Sequence, residues 1–142
     1  MKKSDVSVNM RMEIIDQGQQ DISVVKERGQ LMERGNMTVL TFSEQHEEDT
    51  VIDSMITIQA DKVTVKRTGS ISMVQRFIAD QPTENVYRHA YGTMHMTTKT
   101  NQIYFRRPQK QEAGVLSIDY QTSLNGEEPR QHNLTISLNY RT

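Results

Sequence analysis

Apolar and polar residues alternate along most of this chain, which is the pattern of β-strands that bury one face. The first run shows it clearly, with apolar residues at every second position: Val6, Val8, Met10, Met12 and Ile14. Side chains two residues apart on a strand point to the same face, so this run predicts a half-buried strand. No segment carries a sustained period of 3.6 residues, and we therefore predict an all-β protein.

Turn-forming residues divide the alternating runs. Asn125-Gly126 is the strongest short hairpin signal in the chain. The clearest loop is predicted at residues 80–85, which are rich in turn formers. Gly29 lies inside the second alternating run, where a glycine usually marks a bulge or a bend. With these breaks, the sequence predicts about eight to ten antiparallel strands.

So many short strands in one chain of this size favour a single antiparallel up-and-down β-barrel. We expect one domain over residues 1–142, with residues 4–141 as its structured core. Closure into a barrel leaves few unpaired strand edges, and a sandwich of two sheets is the alternative. Small antiparallel barrels are filled by side chains or hold one small ligand, so the question becomes what lies inside.

Composition excludes several functional classes. The chain has no cysteine, which excludes disulfides, thiolate nucleophiles and cysteine-ligated metal centres. Its 17 basic and 18 acidic residues are balanced, so no broad charged surface for nucleic acid or anionic lipid is expected. Lys2 and Lys3 are not followed by an apolar run, so we predict no signal peptide, no membrane span and a cytoplasmic location.

The sharpest chemical signal is a pair of opposite charges on the apolar faces of two predicted strands. Glu44 follows Phe42 at a spacing of two, and Arg67 follows Val65 at the same spacing. Both charged side chains are therefore expected to point the way the core points.

Three interpretations of Glu44 and Arg67 stay open. A charge removed from water is costly unless it is paired, so the two form a structural salt bridge at the barrel rim or turn out to solvent. Alternatively, Arg67 is a fork that binds a carboxylate or phosphate while Glu44 orients it. In the third interpretation, Glu44 is a general base whose pKa Arg67 adjusts.

Further polar residues lie on or beside apolar faces, namely Gln75, Tyr91, Thr100 and Tyr120. Such groups usually bond to backbone or water when they are buried. Together they could line the polar end of a cavity, since binding sites place a few polar groups among apolar walls. The candidate ligand-binding residues are therefore Glu44, Arg67, Gln75, Tyr91 and Tyr120.

No metal site and no cofactor are predicted. The four histidines, His46, His89, His95 and His132, form no ligand motif, and we expect His46 and His132 to be solvated. Glu47-Glu48-Asp49 lacks the spacing of a calcium loop and is predicted to be a solvated loop. Nothing resembles a glycine-rich phosphate loop or a dinucleotide fingerprint.

A set of residues along nearly the whole chain, from residue 6 to residue 140, resembles the YwiB family of small bacterial proteins. The set is Phe42-x-Glu44, Val65-x-Arg67-x-Gly69, Phe77, Tyr87, Tyr91-Gly92, Thr100 and Gly114-x-Leu-x-Ile-x-Tyr120. That family is similar to the calycin barrels, the closed up-and-down sheets of the lipocalin and streptavidin type. The resemblance implies this fold but no chemistry, because the family has no assigned activity.

These observations lead to three functional hypotheses. The first is a barrel that binds a small anionic or amphipathic molecule in a partly apolar cavity, with Glu44 and Arg67 near one end. The second is a structural or protein-interaction barrel with a filled core and no ligand. The third is a cofactor-free enzyme that uses Glu44 or Tyr91 for proton transfer. Fold alone does not decide among them, and the oligomeric state is left open.

Overall fold

The structure is a computed structural model that describes residues 2–46 and 50–141. The predicted solvated loop Glu47-Glu48-Asp49 lies outside the described residues. In the described residues ten strands follow one another: β1 (Lys2–Asp16), β2 (Gln19–Arg34), β3 (Met37–Gln45), β4 (Val51–Ile58), β5 (Val63–Gly69), β6 (Ser72–Phe77), β7 (Pro82–His89), β8 (Gly92–Arg106), β9 (Gly114–Leu124) and β10 (Arg130–Tyr140). That part of the chain contains no helix long and apolar enough to cross a membrane.

Each strand pairs with the next in antiparallel fashion, and the first strand closes on the last. The closing ladder between β1 and β10 runs from Val6 opposite Tyr140 to Ile15 opposite Gln131. The result is a closed up-and-down barrel, which confirms the predicted fold class and excludes the two-sheet sandwich.

The core lies inside the barrel and is built by the alternation seen in the sequence. Along β9 and the second half of β10 every second residue is buried, and the aliphatic residues of this inward face are Leu116, Ile118, Leu134, Ile136 and Leu138. None of them is more than 4% exposed. Burial of such apolar surface is the main favourable contribution to folding. The same core cluster includes Val6, Leu31 and Leu40, which come from strands distant in sequence.

Two predicted turns differ in extent from the structure. Residues 80–85 form a shorter loop than predicted, because β7 already begins at Pro82, and a proline at the first position of a strand leaves no ladder hydrogen bond unmade. Asn125 and Gly126 do turn the chain, with φ of 51° and 77°. The next strand starts only at Arg130, so the connection is longer than a two-residue hairpin loop.

One seam of the barrel is only half closed. β2 pairs with β1 along almost its whole length but pairs with β3 only from Gly29 to Arg34. At Gly29 the strands approach so closely that a Cβ atom would lie 2.6 Å from the carbonyl oxygen of Thr41. Gly29 is the first residue of β2 that pairs with β3, and residues 19–28 have no ladder to that strand.

Candidate functional site

Glu44, Ser54 and Arg67 meet at the barrel rim because they occupy inward positions of three adjacent strands. β3 and β5 run in the same direction on either side of β4, so their last residues lie at the same end of the barrel. Ser54 pairs directly with Arg67, and Glu44 lies one inward position farther along. The structure thus places Glu44 inside, only 2% exposed, as its spacing predicted.

The Glu44 carboxylate receives hydrogen bonds from two side chains. Arg67 Nη2 donates to Glu44 Oε1 at 3.0 Å and to Oε2 at 2.9 Å. Ser54 Oγ donates to Oε2 at 3.0 Å, and His46 Nε2 lies 3.3 Å from Oε1. A buried carboxylate is tolerated when it is paired and hydrogen-bonded, and this one has both forms of compensation.

A small cavity adjoins this ion pair. It has a volume of about 60 Å³, and its walls are mainly apolar, with Glu44, Ser54, Arg67, Gln75 and Tyr120 as the polar contributors. The Nε atom of Arg67 is buried and has no acceptor among the described residues. A buried N–H without an acceptor has lost the hydrogen bond that it makes with water in the unfolded chain. This N–H can therefore donate to an acceptor atom of a ligand without first breaking a hydrogen bond within the protein.

Tyr120 forms one wall of the cavity and is held as a neutral phenol. Burial raises its pKa above the ordinary value, and the Arg67 charge offsets only part of this increase. Its hydroxyl donates to Met12 Sδ at 3.6 Å, a weak acceptor, and its ring meets Phe77 edge-on with centroids 4.7 Å apart. Tyr120 can therefore donate a hydrogen bond but is a poor candidate for a base.

Gln75 is also brought to this cavity, where it is buried and donates from Nε2 to Thr98 Oγ1 at 2.9 Å. Thr100, the other polar residue predicted beside an apolar face, is buried, and its hydroxyl has no partner among the described residues. Gln75 thus joins Glu44, Arg67 and Tyr120 as predicted residues that line one cavity.

Tyr91 is a correction to the predicted set. It is 95% exposed and lies in the turn between β7 and β8, so it does not line the cavity with the other four. The alternation that points strand residues inward has no meaning for a residue within a tight turn.

His132 is a second correction, because it is half-buried where a solvated side chain was expected. Its ring stacks on Tyr120 with centroids 4.6 Å apart, and its Nε2 lies 2.7 Å from Thr122 Oγ1. Burial, reinforced by the Arg130 charge, lowers the pKa of His132 to about 4. Within the part of the chain that the structure describes, no group of three His, Asp or Glu side chains is arranged to hold a metal ion.

The sequence interpretation missed two residues of the site, Ser54 and His46. Ser54 stands between Ile52 and Ile56 on the inward face of β4, so the spacing rule that found Glu44 could have found it as well. His46 follows Glu44 at a spacing of two, at the end of β3, which is the same signal. Its side chain is 43% exposed and marks the boundary between the ion pair and solvent.

Comparison with known proteins identifies relatives of the same architecture. The chain is 25% identical over 136 residues to the uncharacterized beta-barrel protein YwiB of Bacillus subtilis (strain 168), a match that spans 96% of this chain and 94% of that protein. The crystal structure of the ywiB protein from Bacillus subtilis superposes with a TM-score of 0.85 at 24% identity, covering 99% of this chain and 94% of the other, and therefore shows the same fold. Residues 8–136 match the family model described as a domain of unknown function (DUF1934), and the chain belongs to that family.

Proposed function

We propose that the barrel binds a small uncharged molecule through a carbonyl-type oxygen, which accepts a hydrogen bond from Arg67 Nε in the cavity beside Glu44. The observation that carries this proposal is the buried Nε–H of Arg67, which has no acceptor among the described residues. The remaining walls of the cavity, formed by residues such as Met10, Met12 and Phe42, suit the apolar part of the ligand.

The charge of the site argues for a neutral ligand. Glu44 already holds Arg67 through two hydrogen bonds, so the guanidinium charge is compensated. A carboxylate or phosphate would bring a second negative charge beside Glu44, at a place where water screens it poorly. The anionic ligand among the sequence hypotheses is therefore the less favoured choice.

The size of the cavity limits the ligand. A volume of about 60 Å³ has room for about four water molecules, far below the several hundred Å³ of sites for drug-sized ligands. A ligand of four non-hydrogen atoms gains at most about 6 kcal/mol, so its Kd is no tighter than about 40 µM. The proposed ligand thus binds inside the barrel, as ligands of calycin-type barrels do, but it is a very small molecule.

Acetamide and acetate form a matched pair of probes, because they have the same size and differ in charge. In a titration followed by backbone amide NMR shifts, acetamide is expected to bind near Arg67 and acetate at least about tenfold more weakly. Arg67→Lys keeps a positive charge opposite Glu44 but removes the Nε–H, and it should abolish acetamide binding in a folded barrel. Arg76→Lys, on the exposed face of β6, is the control and should bind acetamide normally.

Tighter binding of acetate than of acetamide would contradict the charge argument. Equal acetamide binding by Arg67→Lys and the native protein would contradict the role of the Nε–H. Absence of binding by either probe would favour the second candidate, a barrel with a filled core that acts through its outer surface. That candidate is supported by the small cavity volume.

An enzyme that uses Glu44 or Tyr91 receives little support from this geometry. Glu44 is engaged by Arg67 and Ser54, and Tyr91 is remote from the cavity. A general base needs to reach the proton it abstracts within hydrogen-bond distance. We therefore propose binding without catalysis.

We further propose a cytoplasmic location in a bacterial cell. The chain has no cysteine and therefore needs no oxidising compartment for disulfide formation, and its relative YwiB comes from a bacterium. Fractionation of cells that express the tagged chain is expected to recover it with cytoplasmic markers, and recovery with membranes or medium would contradict the proposal.

A further inference from the structure

Residues 19–28 of β2 form an open strand edge, here called the β2 edge. They pair with β1 on one side, while the ladder to β3 starts only at Gly29. No other strand in residues 2–46 and 50–141 pairs with this segment. The backbone N–H and C=O groups on the side of β2 away from β1 are therefore available to pair with another extended chain. Such an edge is a template for strand addition.

The chain's own β3 is a poor cover for this edge because of charge. Continuing the β2–β3 register beyond Gly29 and Phe42 would place Glu27 directly opposite Glu44. Both residues lie at inward-facing positions of their strands, and Glu44 is already buried in its ion pair with Arg67. Like charges opposite each other on one face are destabilising, so the seam opens where this contact would begin. A groove of about 1020 Å³ follows the opened seam on the outer surface.

The outward face of the β2 edge is unusually apolar for a solvent-facing surface. Ile22 and Val24 are 50% and 53% exposed, and they occupy neighbouring outward positions. Isolated exposed apolar residues are ordinary, but two adjacent ones on an unpaired edge form a surface suited to strand association.

We propose that this edge pairs with the β2 edge of a second copy of the chain, antiparallel about a two-fold axis at Ser23. In this register Ile22 lies opposite the partner's Val24, and Val24 opposite the partner's Ile22. The two pairs form one apolar cluster of four side chains on the outward face. Two β1–β2 hairpins become a continuous four-stranded sheet, which is the self-complementary arrangement that a two-fold interface requires.

The residue pattern selects this register among its neighbours. A two-fold axis perpendicular to the sheet places the outward residues of one strand opposite outward residues of the other. The registers to compare are therefore those centred on one residue, namely Ser23 or its neighbours Ile22 and Val24. One alternative, centred on Val24, places Asp21 opposite the partner's Glu27 and Ile22 opposite the partner's Lys26. The other, centred on Ile22, shortens the ladder at both ends. In the register centred on Ser23, Asp21 faces the partner's Val25, and no like charges lie directly opposite each other.

The absence of native cysteine allows a direct test of the axis. Residues directly opposite in antiparallel strands have Cα atoms about 4.5–5.5 Å apart, within the range that a disulfide bridges. Ser23→Cys in the full chain is therefore expected to form a covalent dimer under mild oxidation. Ser72→Cys, an exposed serine on β6, is the control and should remain monomeric on the same time scale.

Analytical ultracentrifugation tests the apolar contact. The native chain is expected to show a concentration-dependent dimer, and Val24→Lys should raise the dimer Kd by at least about tenfold. Val51→Lys, at an outward position of β4 that is 39% exposed, is the matched control and should dimerise as the native chain does. The proposal is overturned if the native chain stays monomeric at about 0.5 mM, if Val24→Lys dimerises normally, or if Ser23→Cys cross-links no faster than Ser72→Cys.

Discussion

Two walls of the barrel interior follow the same alternation and reach different results. On β9 and β10 the inward positions carry Leu116, Ile118 and Ile136, which are 1% exposed or less. On β3, β4 and β5 the inward positions toward one rim include the polar residues Glu44, Ser54 and Arg67. The apolar side chains of the first wall pack tightly, whereas the second wall carries a buried ion pair beside a cavity of about 60 Å³, which Tyr120 of β9 and Leu134 of β10 close from the opposite side. Strand geometry sets where side chains point, and their chemistry decides whether the space is packed or left as a polar cavity.

The largest expected effect comes from the packed wall. Ile118→Ala should lower the free energy of unfolding by about 4 kcal/mol, because it removes buried methyl groups and leaves a void that the barrel cannot close. Ile15→Ala, the same change at a residue that is 41% exposed, should cost less than about 1 kcal/mol. Urea denaturation measures both variants, and similar losses in the two would show that the β9–β10 wall is not the tightly packed part.

The polar wall should respond to the loss of one charge more than to the loss of both. Arg67→Ala leaves Glu44 buried without its cation and should cost about 3 kcal/mol, after allowance for the partial exposure of Arg67. Glu44→Ala should also destabilise, and the double variant should cost less than the sum of the two. Lys66→Ala, an exposed neighbour of Arg67, serves as the control. Strict additivity in urea denaturation would mean that the observed ion pair contributes no coupling energy.

A smaller effect is expected from His132, which lies on the β9–β10 wall opposite Tyr120. Its pKa is lowered to about 4 in the folded protein, mainly by burial, against an ordinary value near 6.5 in the unfolded chain. Between these values the unfolded chain binds a proton that the folded protein does not. The stabilisation is therefore present above about pH 6.5 and is lost as the pH falls toward 4.

Because the His132 ring is partly exposed, we expect this loss to amount to about 1–2 kcal/mol. Unfolding free energies measured from pH 7 to pH 4 should decline less steeply in His132→Gln than in the native protein. His95→Gln, at an exposed position of β8, is the control and should keep the native slope. Identical slopes in His132→Gln and the native protein would contradict the burial of a neutral ring.

Much of the difference between the two walls could be predicted from the sequence. Whether a strand residue points inward or outward (its parity) depends only on its place in the local alternation. Parity correctly assigned Glu44 and Arg67 to the interior, and Ser54 carried the same signal. Parity fails outside strands, as Tyr91 shows, since a residue in a turn has no fixed face. It also says nothing about neighbours on other strands.

The features that escaped prediction depend on strand register. The burial of His132 depends on its pairing with Tyr120, and the open seam depends on where the β2–β3 ladder ends, at Gly29 and Phe42. Register depends on the turn type, the loop length and the hydrophobic patterns of both partner strands, so the alternation within one strand does not specify it. The cavity volume is likewise a property of the packed barrel, because it depends on how side chains from distant strands fit together.

The most direct measurement observes the Arg67 side chain itself. In a ¹⁵N-edited NMR spectrum, the Nε–H signal is assigned by its absence in Arg67→Lys and followed while acetamide is added. We predict that the signal shifts saturably, with the Kd given by the backbone amide shifts, and that its hydrogen exchange with water slows. A signal that stays unchanged at saturating acetamide, or that responds equally to acetate, would contradict the assignment of this polar wall as a site for a neutral hydrogen-bond acceptor.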